Sequence, residues 1–226
     1  MSAPRMLSLR SLAADWDALL RARGDFAVGA GPLPWARLSL AVVLAGGGFG
    51  LAMGSYAGGR AALYAAAKVP LLVSGSLLVC LPSFYVVNAV LGLADDYVAA
   101  CRGILSAQAT LAVALLSLAP VTLLAHVLTG DYHTVKLVDG ALFACASLCA
   151  QRTLARHYGP LLARNPRHRL ALLIWPALYI FVAVQLAYAL RPFVGNPRFP
   201  TEFLRADWIG NVYIDLYWAV RGALGG

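Results

Sequence analysis

A chain of 226 residues that is 61% hydrophobic and 12% charged, with a mean hydropathy of +0.73, departs far from the roughly 25% charged residues of an ordinary soluble domain. This composition makes a water-soluble fold a poor alternative, and the length suits one compact helical bundle with no room expected for a second globular domain beside the apolar segments. The net charge of +8 arises from 18 basic residues, all arginine except Lys68 and Lys136, and these flank apolar runs, which speaks for membrane topology and against a nucleic-acid partner.

Residues 1–34 read as a cytoplasmic leader and hinge. Leu9, Leu12, Ala13, Trp16, Leu19 and Leu20 follow helical spacing, while Arg10, Asp15, Asp17 and Arg21 take the other side. The pattern predicts an amphipathic helix in the membrane interface with Trp16 at headgroup level; a partner-binding helix is the alternative. The first long apolar run starts only at Leu38, so no cleavable signal peptide is expected. Gly24, Gly29, Gly31, Pro32 and Pro34 predict a flexible hinge.

Residues 35–190 form the expected bundle. Four stretches, 38–59, 69–94, 103–130 and 170–190, carry no charge, and a helix needs about 20 such residues to cross a hydrocarbon core of about 30 Å. A fifth span is read into 133–155, which gives an all-α polytopic bundle with spans near 36–58, 66–93, 103–129, 133–155 and 169–190. In the first, Gly46, Gly50 and Gly54 repeat every four residues, so one face admits a second helix at close range, from the same chain or from another copy.

The second span is expected to begin near Lys68, with its stem snorkelling to the interface and Pro70 in the first turn. Pro82 should kink it and free the carbonyl of Leu78 for Ser83 or a neighbouring helix, while Asn88 should tie the span to a neighbour. The third span carries Pro120 with Gln108, Thr110, Ser117, Thr122 and His126, and Pro176 kinks the last.

Residues 140–151 are too short to cross alone, so the fourth span must include Lys136 and Asp139. Those two stand three residues apart and can pair on one face at the outer end; a re-entrant or interfacial helix is the other reading. Cys145 and Cys149 lie one turn apart and could bind a soft metal or sense redox state, but together with Cys80 and Cys101 they read first as small packing residues. No cofactor, metal or catalytic residue is expected.

Arg5, Arg10, Arg21, Arg23 and Arg37 precede the first span, and Arg152, Arg156, Arg164, Arg167 and Arg169 separate the fourth and fifth. If both groups are cytoplasmic, an even number of crossings divides them, which supports five spans, amino terminus inside, carboxyl terminus outside, in a plasma (inner) membrane. The connections at 58–67 and 131–135 then lie outside. Beyond residue 190, Pro192, Pro197 and Pro200 forbid a continuous helix and predict a rigid connector, with Arg191 anchoring the tail to phosphate or to Asp139. Leu204, Trp208, Val212, Leu216 and Val220 recur every four residues and predict a second interfacial helix over 201–223.

The runs Lys68-Val69-Pro70-Leu71-Leu72, Leu81-Pro82-Ser83-Phe84-Tyr85-Val86-Val87-Asn88 and Leu190-Arg191-Pro192-Phe193 resemble phrases of a group of uncharacterised bacterial multi-pass proteins, over most of residues 15–221. More remotely, five spans after a leader resemble the Yip-type trafficking proteins in architecture. Neither resemblance implies an activity.

Three classes of function follow. The glycine face, two interfacial helices and lack of a catalytic cluster favour a membrane scaffold or accessory subunit, partnered by the bilayer and by a membrane protein or a second copy. The polar residues Asn88, Gln108, His126, Asp139, Gln151 and Gln185 motivate a transporter or channel instead. A membrane enzyme would need His126 and Asp139 to meet; no HExxH, GxSxG or phosphate-loop motif supports it.

Overall fold

A backbone immersed in lipid must satisfy its own hydrogen bonds, which a helix does within one segment. In the computed structural model, which describes residues 8–29, 31–129, 131–195, 202–204 and 210–214, no strand occurs among the described residues. The helices are α1 (Leu9–Leu20), α2 (Trp35–Gly54), α3 (Gly59–Val90), α4 (Tyr97–Leu128), α5 (Tyr132–Arg164) and α6 (His168–Leu190). Five of them, α2 to α6, are long and apolar enough to cross a membrane, so the fold is an all-α, multi-pass bundle. With 32 or 33 residues each, α3, α4 and α5 reach about 50 Å, so they tilt or project beyond the hydrocarbon.

The core is built around α4, which packs on α2 and α5; α2 in turn packs on α3, and α3 on α6. Phe49, Val69, Phe84, Ile104, Leu115 and Leu154 fill the centre. Between α2 and α3 the backbones nearly touch: a Cβ added at Gly50 would lie 2.8 Å from Ala66 Cα, and one at Gly54 2.7 Å from Ala62 Cα. Gly46 faces Pro70 at an ordinary 3.5 Å. The glycine face therefore meets a stripe of alanines within the same chain.

That seam explains two departures from the sequence reading. α3 starts at Gly59, after Gly58 at φ 104°, so residues 59–67 are helix and not an outer connection. Alanine at 61, 62, 65, 66 and 67 favours helix, and the close approach to α2 gives that helix something to pack on. Consequently Pro70 stands mid-helix, not in a first turn, and Lys68 is fully buried, not snorkelling. α5 is one continuous helix across the ambiguous fourth segment, which excludes a re-entrant loop.

At the amino-terminal end, Ser8 and Ser11 close a capping box on α1, whose buried Leu19 and half-buried Trp16 pack against the bundle near α4. The glycine- and proline-rich stretch after it is held, not free. Arg37 Nε donates to Asp15 Oδ2 at 2.7 Å and its other nitrogens reach Asp15 and Asp25, while Arg102 donates to the carbonyls of Gly31 and Asp25. Most of the expected helix over 201–223 lies outside the described residues; at 212–214 there is one helical turn.

Candidate functional site: a lateral groove between α5 and α6

The packing order leaves two consecutive pairs, α3–α4 and α5–α6, sparsely joined. Because α5 leans on α4 and α6 leans on α3, α5 and α6 meet sparsely. Between them runs a cavity of about 640 Å³ whose walls include Leu111, Phe143, Leu148, Trp175, Pro176 and Ile180, with Gln108, Ser147, Gln151 and Tyr179 as its polar members. Trp175 is buried and stacks edge-on against Phe84 at 5.0 Å, so its ring is a fixed wall.

A second cavity of about 430 Å³ adjoins the first, sharing Leu72, Phe143 and Ala187 with it. It lies where α5 begins and α6 ends, and Lys136, Asp139, Arg191 and the connector residues Pro192, Phe193 and Val194 form its rim. The Lys136 ammonium stands 5.2 Å from the centre of the Tyr132 ring, and the Arg191 guanidinium stacks on Tyr188 at 3.5 Å. Asp139 is 4% exposed; its Oδ1 accepts from Thr122 Oγ1 at 2.9 Å, and its Oδ2 has no hydrogen-bond partner among the described residues.

Lys68 builds this rim from behind. Its ammonium donates to the carbonyl of Pro192 at 2.7 Å and faces the rings of Phe203 at 5.0 Å and Phe193 at 6.0 Å. The Tyr132 hydroxyl donates to the Val194 carbonyl at 3.2 Å. Sequence reasoning placed Lys68 at a membrane surface; the signal it passed over was a lone lysine with no acidic residue within twenty positions on either side. A cation so isolated needs carbonyls and aromatic faces, and the Leu-Arg-Pro-Phe tail supplies both.

The structure sorts the other polar residues into separate roles. Lys136 and Asp139 share the rim but form no ion pair among the described residues, because Asp139 turns to α4 and Lys136 to Tyr132. Likewise, Asp139 bonds Thr122 and not Arg191. Asn88 is buried, yet it donates to Phe84 of its own helix at 2.8 Å and so ties no second helix. His126 Nδ1 faces Ser55 Oγ at 3.5 Å and packs on Tyr56, so it does not engage Asp139. Gln185 holds the tail, donating to the Gly210 carbonyl at 2.6 Å and accepting from the Val212 amide at 3.1 Å.

α3, α4 and α6 continue as helix through Pro82, Pro120 and Pro176. Near Pro82 the outside donor is the Tyr97 hydroxyl, at 3.0 Å from the Leu81 carbonyl. Cys80 and Cys101 are buried, Cys145 and Cys149 exposed, and no group of three metal-ligating side chains occurs among the described residues. At the arginine-rich end, Asp96 joins His168 at 3.0 Å and Arg164 at 3.2 Å, which locks the α5–α6 turn to the start of α4. No known protein family, curated protein or solved structure matches this chain.

Proposed function

We propose that this protein is a membrane scaffold that holds a lipid in the groove between α5 and α6. The observation that carries the reading is the junction of the two cavities: an apolar chamber of about 640 Å³ runs directly into a rim bearing Lys136, Asp139 and Arg191. A phospholipid has the same order, chain then charged head, and the groove faces the solvent in which such molecules are abundant. Described tail residues do not compete for the space, since Gly210, Val212 and Tyr213 pack on Phe181 and Gln185, across α6 from the groove-lining Ala183 and Ala187.

The transport reading draws less support. Gln108 and Gln151 share the chamber that opens toward Asp139, but Asn88, His126 and Gln185 engage separate partners away from it. A bacterial inner membrane, an inside amino terminus and a remote architectural likeness to Yip-type proteins belong to the same proposal; the arginines at 152, 156, 164, 167 and 169 support the orientation.

Filling the groove tests the function. Ala144→Phe and Ala183→Phe place rings in the chamber without touching the α2–α3 seam. Native mass spectrometry of protein released from nanodiscs should show retained phospholipid on the wild type and little on either variant. Equal retention on all three, or solute flux in proteoliposomes that Asn88→Ala abolishes, would replace the scaffold with another reading.

A further inference from the structure

The rim of the groove carries charge of both signs, which constrains the head of the lipid more than the chamber constrains its tails. Exposed Lys136 and buried Asp139 stand on the α5 side of the mouth and Arg191 on the α6 side, and one Asp139 oxygen lacks a donor. A buried acceptor left without a hydrogen bond is destabilising, and the deficit is larger for a carboxylate. Its nearest cation in sequence, Lys136, turns to Tyr132 instead.

We infer that the groove selects phosphatidylethanolamine: the headgroup phosphate lies against Lys136 and Arg191, and the primary ammonium donates to Asp139. This deepens the lipid-scaffold reading and rests on it. Asp139 lines the second cavity, and with Oδ1 held by Thr122 its other oxygen, Oδ2, is the one left to take the ammonium. Phosphatidylglycerol offers hydroxyls but adds net negative charge beside Asp139. Phosphatidylcholine matches in charge but has no N–H to give, and the ring best placed to receive its quaternary ammonium, Tyr132, already faces Lys136. Ethanolamine meets both demands of the rim.

The depth is consistent. Asp139 is the eighth residue of α5, so it lies about 10 Å along the helix from the end at Tyr132, where headgroups give way to chains. Arg191 directly follows α6, at the same end. An acyl chain entering from there passes Phe143 and Ala187 into the wider chamber.

The test uses the full chain in mild detergent, titrated with phosphatidylethanolamine, phosphatidylcholine and phosphatidylglycerol of identical acyl chains and read by native mass spectrometry. Wild type should bind phosphatidylethanolamine about tenfold more tightly than the other two, the worth of one charge-assisted hydrogen bond. Asp139→Asn keeps the shape and should bring the three within about twofold of each other, whereas Lys136→Gln should weaken all three alike. Stepwise N-methylation of the headgroup asks the same question of the wild type, so a poorly folding variant does not blunt the test: affinity should fall with each N–H removed. Preference for phosphatidylcholine or phosphatidylglycerol, or selectivity that survives Asp139→Asn, would overturn the headgroup assignment while leaving the groove occupied. No retained lipid of any class would overturn the groove itself.

Discussion

Two helix pairs in this bundle solve the same packing problem in opposite ways. α2 and α3 approach until Gly50 and Gly54 rest on the backbone of Ala61 to Ala66, whereas α5 and α6 stand apart around Phe143, Trp175 and a chamber of about 640 Å³. In lipid, apolar side chains gain little by leaving one oily neighbour for another, so helices join where small residues let many atoms meet. Between α5 and α6, Phe143 and Trp175 hold a gap open although Ala144, Ser147, Ala183 and Ala187 also line it. The contrast teaches that one pair is structural and the other available for a ligand.

The comparison breaks first at the seam. Gly50→Ala forces a Cβ to within 2.8 Å of Ala66 Cα, backbone that cannot step aside, whereas Gly159→Ala on α5 meets nothing within 4 Å. The same chemical change should then have opposite signs. Overpacking at Gly50 should cost about 1–3 kcal/mol, while removing a helix glycine at 159 should gain up to about 1 kcal/mol. Thermal unfolding in detergent reads both, and a neutral Gly50→Ala would mean the seam is slack.

How much of this was legible depends on which link of the chain is asked for. Four of the five apolar helices were readable because charge-free length has one physical meaning in a protein this apolar. The one holding Lys136 and Asp139 was reached through the arginines before the first span and after the fourth, and the glycine repeat of the first span announced a close contact. The start of α3 was not readable, because Lys68 looks like the border of a span until the alanines before it are seen packed on α2. Asn88 illustrates a different limit: sequence says that a buried amide needs a partner, but not that its own helix offers one four residues back. The groove was invisible for a third reason. It is a gap left by α5 choosing α4 and α6 choosing α3, and no single segment encodes a choice of neighbour.

A smaller effect sharpens the role of the connector that closes the groove's rim. Lys68→Met keeps the length of the side chain and its apolar stem but removes the donor that Pro192 accepts from at 2.7 Å. Replacing a buried cation by an apolar isostere is close to neutral for global stability. The loss should instead be local, with amide exchange at Phe193 to Gly195 rising about tenfold, the scale of one hydrogen bond to a charged group. Unchanged exchange would assign the connector to the Tyr132–Val194 bond alone. Retained lipid should fall together with that protection, because Pro192, Phe193 and Val194 form one side of the rim.

The smallest effect separates a helix end held by packing from one held by a cap. α3 begins against α2, but α5 begins at Asp131, exposed, whose carboxylate accepts from the Thr134 amide at 2.8 Å, the Thr134 hydroxyl at 2.6 Å and the His133 amide at 3.3 Å. The Thr134 hydroxyl, then the two amides, hold this carboxyl below its ordinary value of 3.8. A depressed folded-state value means that the cap's contribution is complete above that ordinary value and disappears as pH falls through the lower one. The difference in melting temperature between wild type and Asp131→Ala should therefore be constant from neutral pH down to about pH 4 and close below it. A gap that persists at the lowest pH would locate the stabilisation in the side chain's packing and not in its charge. α5 would then be fixed at its first turn in the same way as α3, and the contrast between the two ends would vanish.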